Sequence, residues 1–169
     1  AVGGQAGGLS MMDLSIDDND AGRVTIELAS DIVPHTVDNF VKLCTGDGEY
    51  SYKETPFHQV QKGLMVTGGD VLGENGGGGH SAFEQRYFED ENFVIQHSQP
   101  GIVSMTNSGV DRNGSQFFIT TVACPHLDGR NVAFGKVVDG MKVVEEIEST
   151  FNVKGRPLVE IKIKDCGIV

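Results

Sequence analysis

Residues 114–120 read Gly-Ser-Gln-Phe-Phe-Ile-Thr, and this stretch decides the fold. Two aromatic residues followed by β-branched ones predict a short strand that packs against a turn. Gln116 is the unusual member, because a polar amide beside strands this apolar needs a partner or a ligand. We therefore predict that Gln116 faces a groove, whereas Phe117 belongs to the core.

Six further segments follow a recognisable order along the chain: residues 57–58, 65 with 68–70, 88–93, 100–105, 127–129 and 132–137. Together with residues 114–120 they resemble the cyclophilins, a family of peptidyl-prolyl cis-trans isomerases. The resemblance runs from about Leu9 to Val169. It implies a closed eight-stranded β-barrel capped by two α-helices, formed by one domain over residues 9–169.

The residues themselves indicate a mainly β architecture as well. Apolar, partly alternating runs at 9–16 and 24–28 flank an acidic turn at 17–22 and predict a hairpin. Pro34 opens a predicted helix, and Met141 opens a second one that reaches about Glu148. Further strands are predicted at 117–121, 132–138 and 158–165. Residues 1–8 are small and glycine-rich, so we expect a flexible tail.

Composition excludes several classes of function. The formal net charge is −11 with no cluster of Lys and Arg, which argues against nucleic-acid binding. No apolar run approaches the ~20 residues of a membrane span, so we expect a soluble protein without membrane insertion. Three cysteines without a Cys-x-x-Cys pair favour an intracellular reducing compartment. The cytoplasm is preferred, and an organelle reached after removal of a transit peptide stays open.

Common cofactor and catalytic motifs fail on their spacing. The acidic turn at 17–22 lacks the twelve-residue loop and final Glu of a calcium site. The glycine-rich run at 73–81 has Glu74 and His80 where a phosphate loop needs glycine and lysine. The five histidines show no zinc-binding spacing, and no nucleophile elbow is present. We expect no metal and no cofactor.

The resemblance assigns site residues position by position. Cyclophilins carry a catalytic arginine in a Phe-His-Arg run, and this chain has Phe57-His58-Gln59 there. Gln59 retains an amide donor but no charge. The implied substrate-binding residues are Leu64, Met65, Thr67, Gly76, Thr106, Asn107, Ser108, Gln116, Phe118, His126, Leu127 and Asn131. Of these, Leu64, Thr67 and Asn131 replace the aromatic, the glutamine and the histidine usual in the family, and His126 stands where tryptophan is common.

Two functions follow as expectations. The first is a peptidyl-prolyl isomerase acting on X-Pro bonds with weak activity, because the charged donor is lost. The second is a catalytically impaired module that binds Pro-containing segments or serves as a subunit of a larger assembly. In either case the partners are Pro-containing peptides or protein segments, and the altered pocket predicts weak binding of cyclosporin.

Overall fold

The computed structural model describes residues 8–169, so the predicted tail at 1–8 falls, except for Gly8, outside the described residues. The strands are β1 Leu9–Ile16, β2 Asn19–Leu28, β3 Gln59–Gln61, β4 Met65–Gly68, β5 Ile102–Asn107, β6 Asn113–Thr120, β7 Ala133–Asp139, β8 Asn152–Val153, β9 Arg156–Pro157 and β10 Ile161–Ile168. Eight of them form one sheet in the order β10-β1-β2-β7-β5-β6-β4-β3, and β8 and β9 form a separate hairpin. The helices are α1 Pro34–Thr45 and α2 Met141–Glu148, with a 3₁₀ turn at Pro125–Leu127.

The predicted β1–β2 hairpin is confirmed, but its turn is tighter than the sequence indicated. Asp17 and Asp18 both have positive φ, at 52° and 64°, and they alone connect Ile16 to Asn19. Two left-handed residues give the turn whose twist matches that of paired strands. Residues 19–22, which the sequence analysis assigned to the turn, therefore already belong to β2.

Both predicted helices are confirmed. Pro34 stands in the first turn of α1, where its missing N–H costs nothing, and Gly46 ends the helix with a left-handed φ of 71°. The N-terminal N–H groups of His35 and Thr36 are capped from outside the helix by the carboxylate of Glu91, at 3.0 and 2.8 Å. This cap ties residues 88–93 to α1.

The mainly β architecture with two helices is confirmed, and the sheet is strongly curled. Full closure is not seen among the described residues, since the edge strands β3 and β10 share no strand ladder. The segment just before β3 approaches β10 instead: Phe57 N–H donates to Ile161 at 2.7 Å, and Pro56 forms an isolated bridge to Lys162. The result is a half-barrel whose two edges meet over a few residues.

An aromatic cluster fills the inside of the curled sheet. Phe40 of α1 packs against Tyr52, Phe117 and Phe134, with ring centroids 4.9–5.5 Å apart. All four side chains are fully buried, which places Phe117 in the core as predicted. The buried Tyr52 hydroxyl donates to the carbonyl of Ser115 at 2.7 Å, so the start of β6 is fixed to the core. No helix in the described chain has the length and apolar character needed to cross a membrane.

Candidate active site

A cavity of about 500 Å³ opens on the face of β3, β4, β5 and β6. Most of the predicted site residues line it: Gln59, Met65, Thr67, Gly76, Thr106, Asn107, Ser108, Gln116, Phe118, Leu127 and Asn131. The neighbouring strands bring them together, since Gln59 pairs with Thr67 and Thr67 pairs with Phe118. Residues distant in sequence thus share one groove.

Two predicted site residues lie outside the lining of this cavity. Leu64 is half-buried in the β3–β4 turn, where its carbonyl accepts a hydrogen bond from Thr121 N–H at 2.9 Å. His126 is exposed on the 3₁₀ turn, next to Leu127, which does reach the cavity. The pattern of a short turn does not reveal which of two successive side chains points inward.

The floor of the groove is apolar. Phe118 is buried and stacks on the fully buried His97, with ring centroids 5.8 Å apart. His97 is held in turn by Asp128 at 2.9 Å and by the Ser104 hydroxyl at 2.8 Å. Met65 and Leu127 complete the apolar surface. A flat, fixed aromatic ring beside two aliphatic side chains suits a ring the size of proline.

The amides predicted to face the groove also hold its walls. Gln116 Nε2 donates to the carbonyls of Gly76 and Gly78, at 2.9 and 2.6 Å. Asn107 Nδ2 donates to Arg130 at 3.1 Å, and Asn131 Nδ2 donates to Met105 at 3.0 Å. Gln116 therefore uses both of its N–H donors within the protein, and what its side chain can offer a ligand is an oxygen acceptor. Asn107 and Asn131 each use one of two N–H donors in these bonds.

One buried carboxylate shapes the glycine-rich wall of the groove, which is formed by the loop of residues 72–79 and lines the cavity through residues 75–79. Asp70 accepts four backbone N–H groups, from Leu72, Glu74, Gly76 and Gly78, at 2.9–3.1 Å. Burial by itself raises the pKa of Asp70, but these hydrogen bonds outweigh it and the pKa is lowered. A Cβ at Gly78 would lie 2.4 Å from Asp70 Oδ1, so only glycine fits there.

His58 lies under this wall, beside Gln59. A Cβ at Gly76 would lie 2.7 Å from its ring, and Gly76 has a φ of 91°, so glycine is required on both counts. Burial lowers the pKa of His58 and outweighs the charge of Asp70, which raises it, while the charge of Arg156 adds a smaller lowering. A neutral imidazole at physiological pH is the consequence.

Several lining residues were missed from the sequence. They are His58, Gln61, Asn75, Gly77, Gly78, Gly79, Tyr87, Arg112, Gly114, Ser115, Lys154 and Arg156. Lys154 and Arg156 come from the β8–β9 hairpin, which the sequence analysis did not identify. The only local signal is the turn-forming Lys154-Gly155 pair, and it gives no indication that the hairpin meets β3.

A curled eight-stranded sheet with two helices, carrying a groove with an apolar floor and a polar rim, defines a class of β domain. Comparison with known proteins identifies the family: the model for "Cyclophilin type peptidyl-prolyl cis-trans isomerase/CLD" matches residues 11–168. The chain belongs to this family. It is 44% identical over 170 residues to "Peptidyl-prolyl cis-trans isomerase D" of Kluyveromyces lactis, an alignment that covers 95% of this chain and 45% of that protein. The chain thus spans less than half the length of this relative.

Proposed function

We propose that this chain is a peptidyl-prolyl cis-trans isomerase domain that acts on X-Pro bonds in peptides and protein segments, at a rate lowered by Gln59. The observation that carries the proposal is the joint placement of Phe118, Met65 and Leu127 as an apolar floor, with Gln59 in the wall of the same cavity. The family and the relative's printed name support the same activity.

The reaction needs little covalent chemistry. Rotation about the peptide C–N bond has a barrier of about 18–20 kcal/mol because resonance stiffens the bond. A catalyst lowers it by holding the proline ring, gripping the flanking chain and donating a hydrogen bond that favours a deconjugated prolyl nitrogen. Phe118 holds the ring in this scheme, and Gln59 is the candidate donor.

Gln59 is the residue that lowers the rate in this proposal, because its side chain is neutral where the family has arginine. A charge-assisted hydrogen bond is roughly twice as strong as a neutral one. Losing one positioned donor costs about 2.7–4 kcal/mol of transition-state stabilisation, or on the order of 10²-fold in rate. An amide that still donates recovers part of this loss. Weak but measurable turnover is the result we expect.

The test is kcat/KM on a panel of X-Pro peptides, measured by NMR exchange so that no coupling protease is needed. Phe118→Leu, which removes the flat ring but keeps apolar volume, should lower kcat/KM by about tenfold. The matched control is Phe93→Leu, because Phe93 is an exposed phenylalanine that does not line the cavity. Equal activity of Phe118→Leu and the parent would overturn the proposed site. A parent kcat/KM above about 10⁶ M⁻¹s⁻¹ would overturn the lowered rate.

A binding module or subunit of a larger assembly is the second candidate, and the β8–β9 hairpin favours it. Phe151, Val153 and Leu158 on or beside this hairpin are 84%, 58% and 64% exposed. Phe151 and Leu158 lie opposite each other, since Leu158 N–H donates to Phe151 at 2.9 Å. Exposed apolar side chains grouped at a groove are typical of contact surfaces. Peptide binding without any acceleration of isomerisation would select this function over the first.

A further inference from the structure

The groove carries positive charge although the protein is acidic. The chain has 24 acidic and 13 basic residues. Yet Arg112, Lys154 and Arg156 line the cavity, and no Asp or Glu of the described chain does so. Lys154 and Arg156 come from the β8–β9 hairpin beside Gln59. Arg112 comes from the β5–β6 connection, where its guanidinium lies 5.9 Å from the Tyr87 ring centroid.

None of these three cations forms an ion pair within the described chain. No carboxylate of residues 8–169 lies within ion-pair distance of any of them. Five basic side chains elsewhere do hold carboxylates: Arg23, Lys42, Lys53, Lys162 and Lys164. Five basic side chains outside the cavity lining are likewise without an ion pair in residues 8–169, namely Lys62, Arg86, Arg130, Lys136 and Lys142. What distinguishes the groove is that three cations and no acidic residue of the described chain line it.

The hairpin holds its two cations in a defined place. Gly155 accepts a hydrogen bond from Val60 N–H of the groove-lining sheet at 2.7 Å. Lys154 and Gly155 form the tight turn, with positive φ values of 53° and 87°. Arg156 pairs with Val153 across the hairpin. Arg156 lines the same cavity as Gln59 and His58.

We propose that the groove selects prolyl segments with an acidic residue close to the proline, and that Lys154 and Arg156 are the main cations that receive it. The proposal rests on the proposed function in one respect, since the proline ring on Phe118 sets the register of the segment. The acidic residues on the rest of the surface do not cancel the attraction between these cations and an acidic residue of the segment. At physiological salt the screening length is about 8 Å, so the nearest charges dominate.

The experiment compares peptides that carry Glu, Gln or Lys directly before the proline. A second set carries the same three residues directly after it. Affinity is measured by NMR titration and isomerisation by NMR exchange. At low salt the Glu peptide should bind about three- to tenfold more tightly than the Gln peptide in at least one position, as one or two exposed ion pairs would give. The Lys peptide should bind more weakly, and the differences should shrink at about 0.5 M salt.

Charge variants assign the preference to the hairpin. Lys154→Gln with Arg156→Gln should bring the Glu-to-Gln affinity ratio close to one, whereas Arg156→Lys should retain most of it. Lys142→Gln is the matched control, because Lys142 is an exposed cation on α2 that does not line the cavity. It should leave the ratio unchanged.

Failure of this proposal and failure of the proposed function give different results. Acid selection is overturned if the Glu and Gln peptides bind with equal affinity in both positions, even where isomerisation is fast. It is also overturned if the Glu-to-Gln affinity ratio is unchanged in the variant with Lys154→Gln and Arg156→Gln. Absence of any binding overturns it too. A Glu preference in affinity without isomerisation supports acid selection and removes the catalytic function instead.

Discussion

Restoring a guanidinium at position 59 should raise the isomerase activity. Gln59 is half-buried on β3 and lines the groove, so an arginine there places a fixed fork of charged donors where a neutral amide now stands. Hydrogen bonds to charged groups contribute about 1.5–3 kcal/mol, against about 0.5–1.5 kcal/mol for neutral ones. The difference, about 1–1.5 kcal/mol, corresponds to roughly a tenfold gain in kcat/KM for Gln59→Arg.

The neighbouring hairpin limits this gain. A Cβ at Gly155 would lie 3.4 Å from Gln59 Cγ, so the new side chain would share its space with the hairpin that carries Arg156. Two unit charges about 4 Å apart in water repel by about 1 kcal/mol. Gln59→Arg combined with Arg156→Gln should therefore exceed Gln59→Arg alone by up to about fivefold on a neutral peptide. The two changes should be non-additive because they share one site.

The assay is kcat/KM by NMR exchange on one neutral X-Pro peptide, with thermal unfolding to confirm that each variant is folded. Gln59→Lys is the control, since it adds charge without the planar fork. Adding Asn131→His should raise activity further, whereas adding Leu64→Phe should not, because Leu64 does not line the cavity. The reasoning is refuted if Gln59→Arg folds normally and stays within twofold of the parent, both with and without Arg156→Gln.

Cyclosporin should bind weakly, because Thr67 and Asn131 line the cavity where the family usually has larger or differently polar side chains; nanomolar affinity in titration calorimetry would contradict this. Asp70→Asn should lower the free energy of unfolding at pH 7 by about 3 kcal/mol, since one amide nitrogen would face backbone donors. Because the folded pKa of Asp70 lies below its ordinary value of 3.8, its stabilisation is present above that pH and is lost as the pH falls through the folded pKa. Urea unfolding of parent and variant should therefore converge in acid, and an equal difference at pH 7 and pH 2 would argue against this role. Glu91→Gln should cost about 1 kcal/mol in the same assay by weakening the cap on α1, with no change expected for the exposed Glu146→Gln.

The sequence predicted the fold well where local signals agree with tertiary packing. Pro34 marks the start of α1, and the alternation of β1 fits its buried face. Local signals are weaker for the β1–β2 turn, since an acidic cluster is compatible with either a long loop or a two-residue turn. The β8–β9 hairpin was missed because each strand has only two residues, too few for a periodic pattern.

The groove was predictable in outline and not in detail. Thr67, Gln116 and Phe118 could be assigned because they match positions of the family's motifs, and all three line the cavity. The resemblance could not say that Gln116 uses its donors on the glycine-rich wall, since that depends on the path of the loop. Nor could it place Lys154 and Arg156, which reach the site only through the contact of their hairpin with β3.

The hydrogen bonds to the carboxylate of Asp70 affect how fast a ligand can bind in the groove. Glycine-rich segments are usually mobile, and ordering one residue costs about 1–2 kcal/mol of conformational entropy. In residues 72–78 this entropy is already lost when the protein folds, because four of their N–H groups donate to the carboxylate of Asp70. A peptide therefore encounters a wall that is formed in advance, and association need not wait for a loop to close. The backbone amides of Gly76 and Gly78 should exchange with solvent far more slowly than their composition suggests.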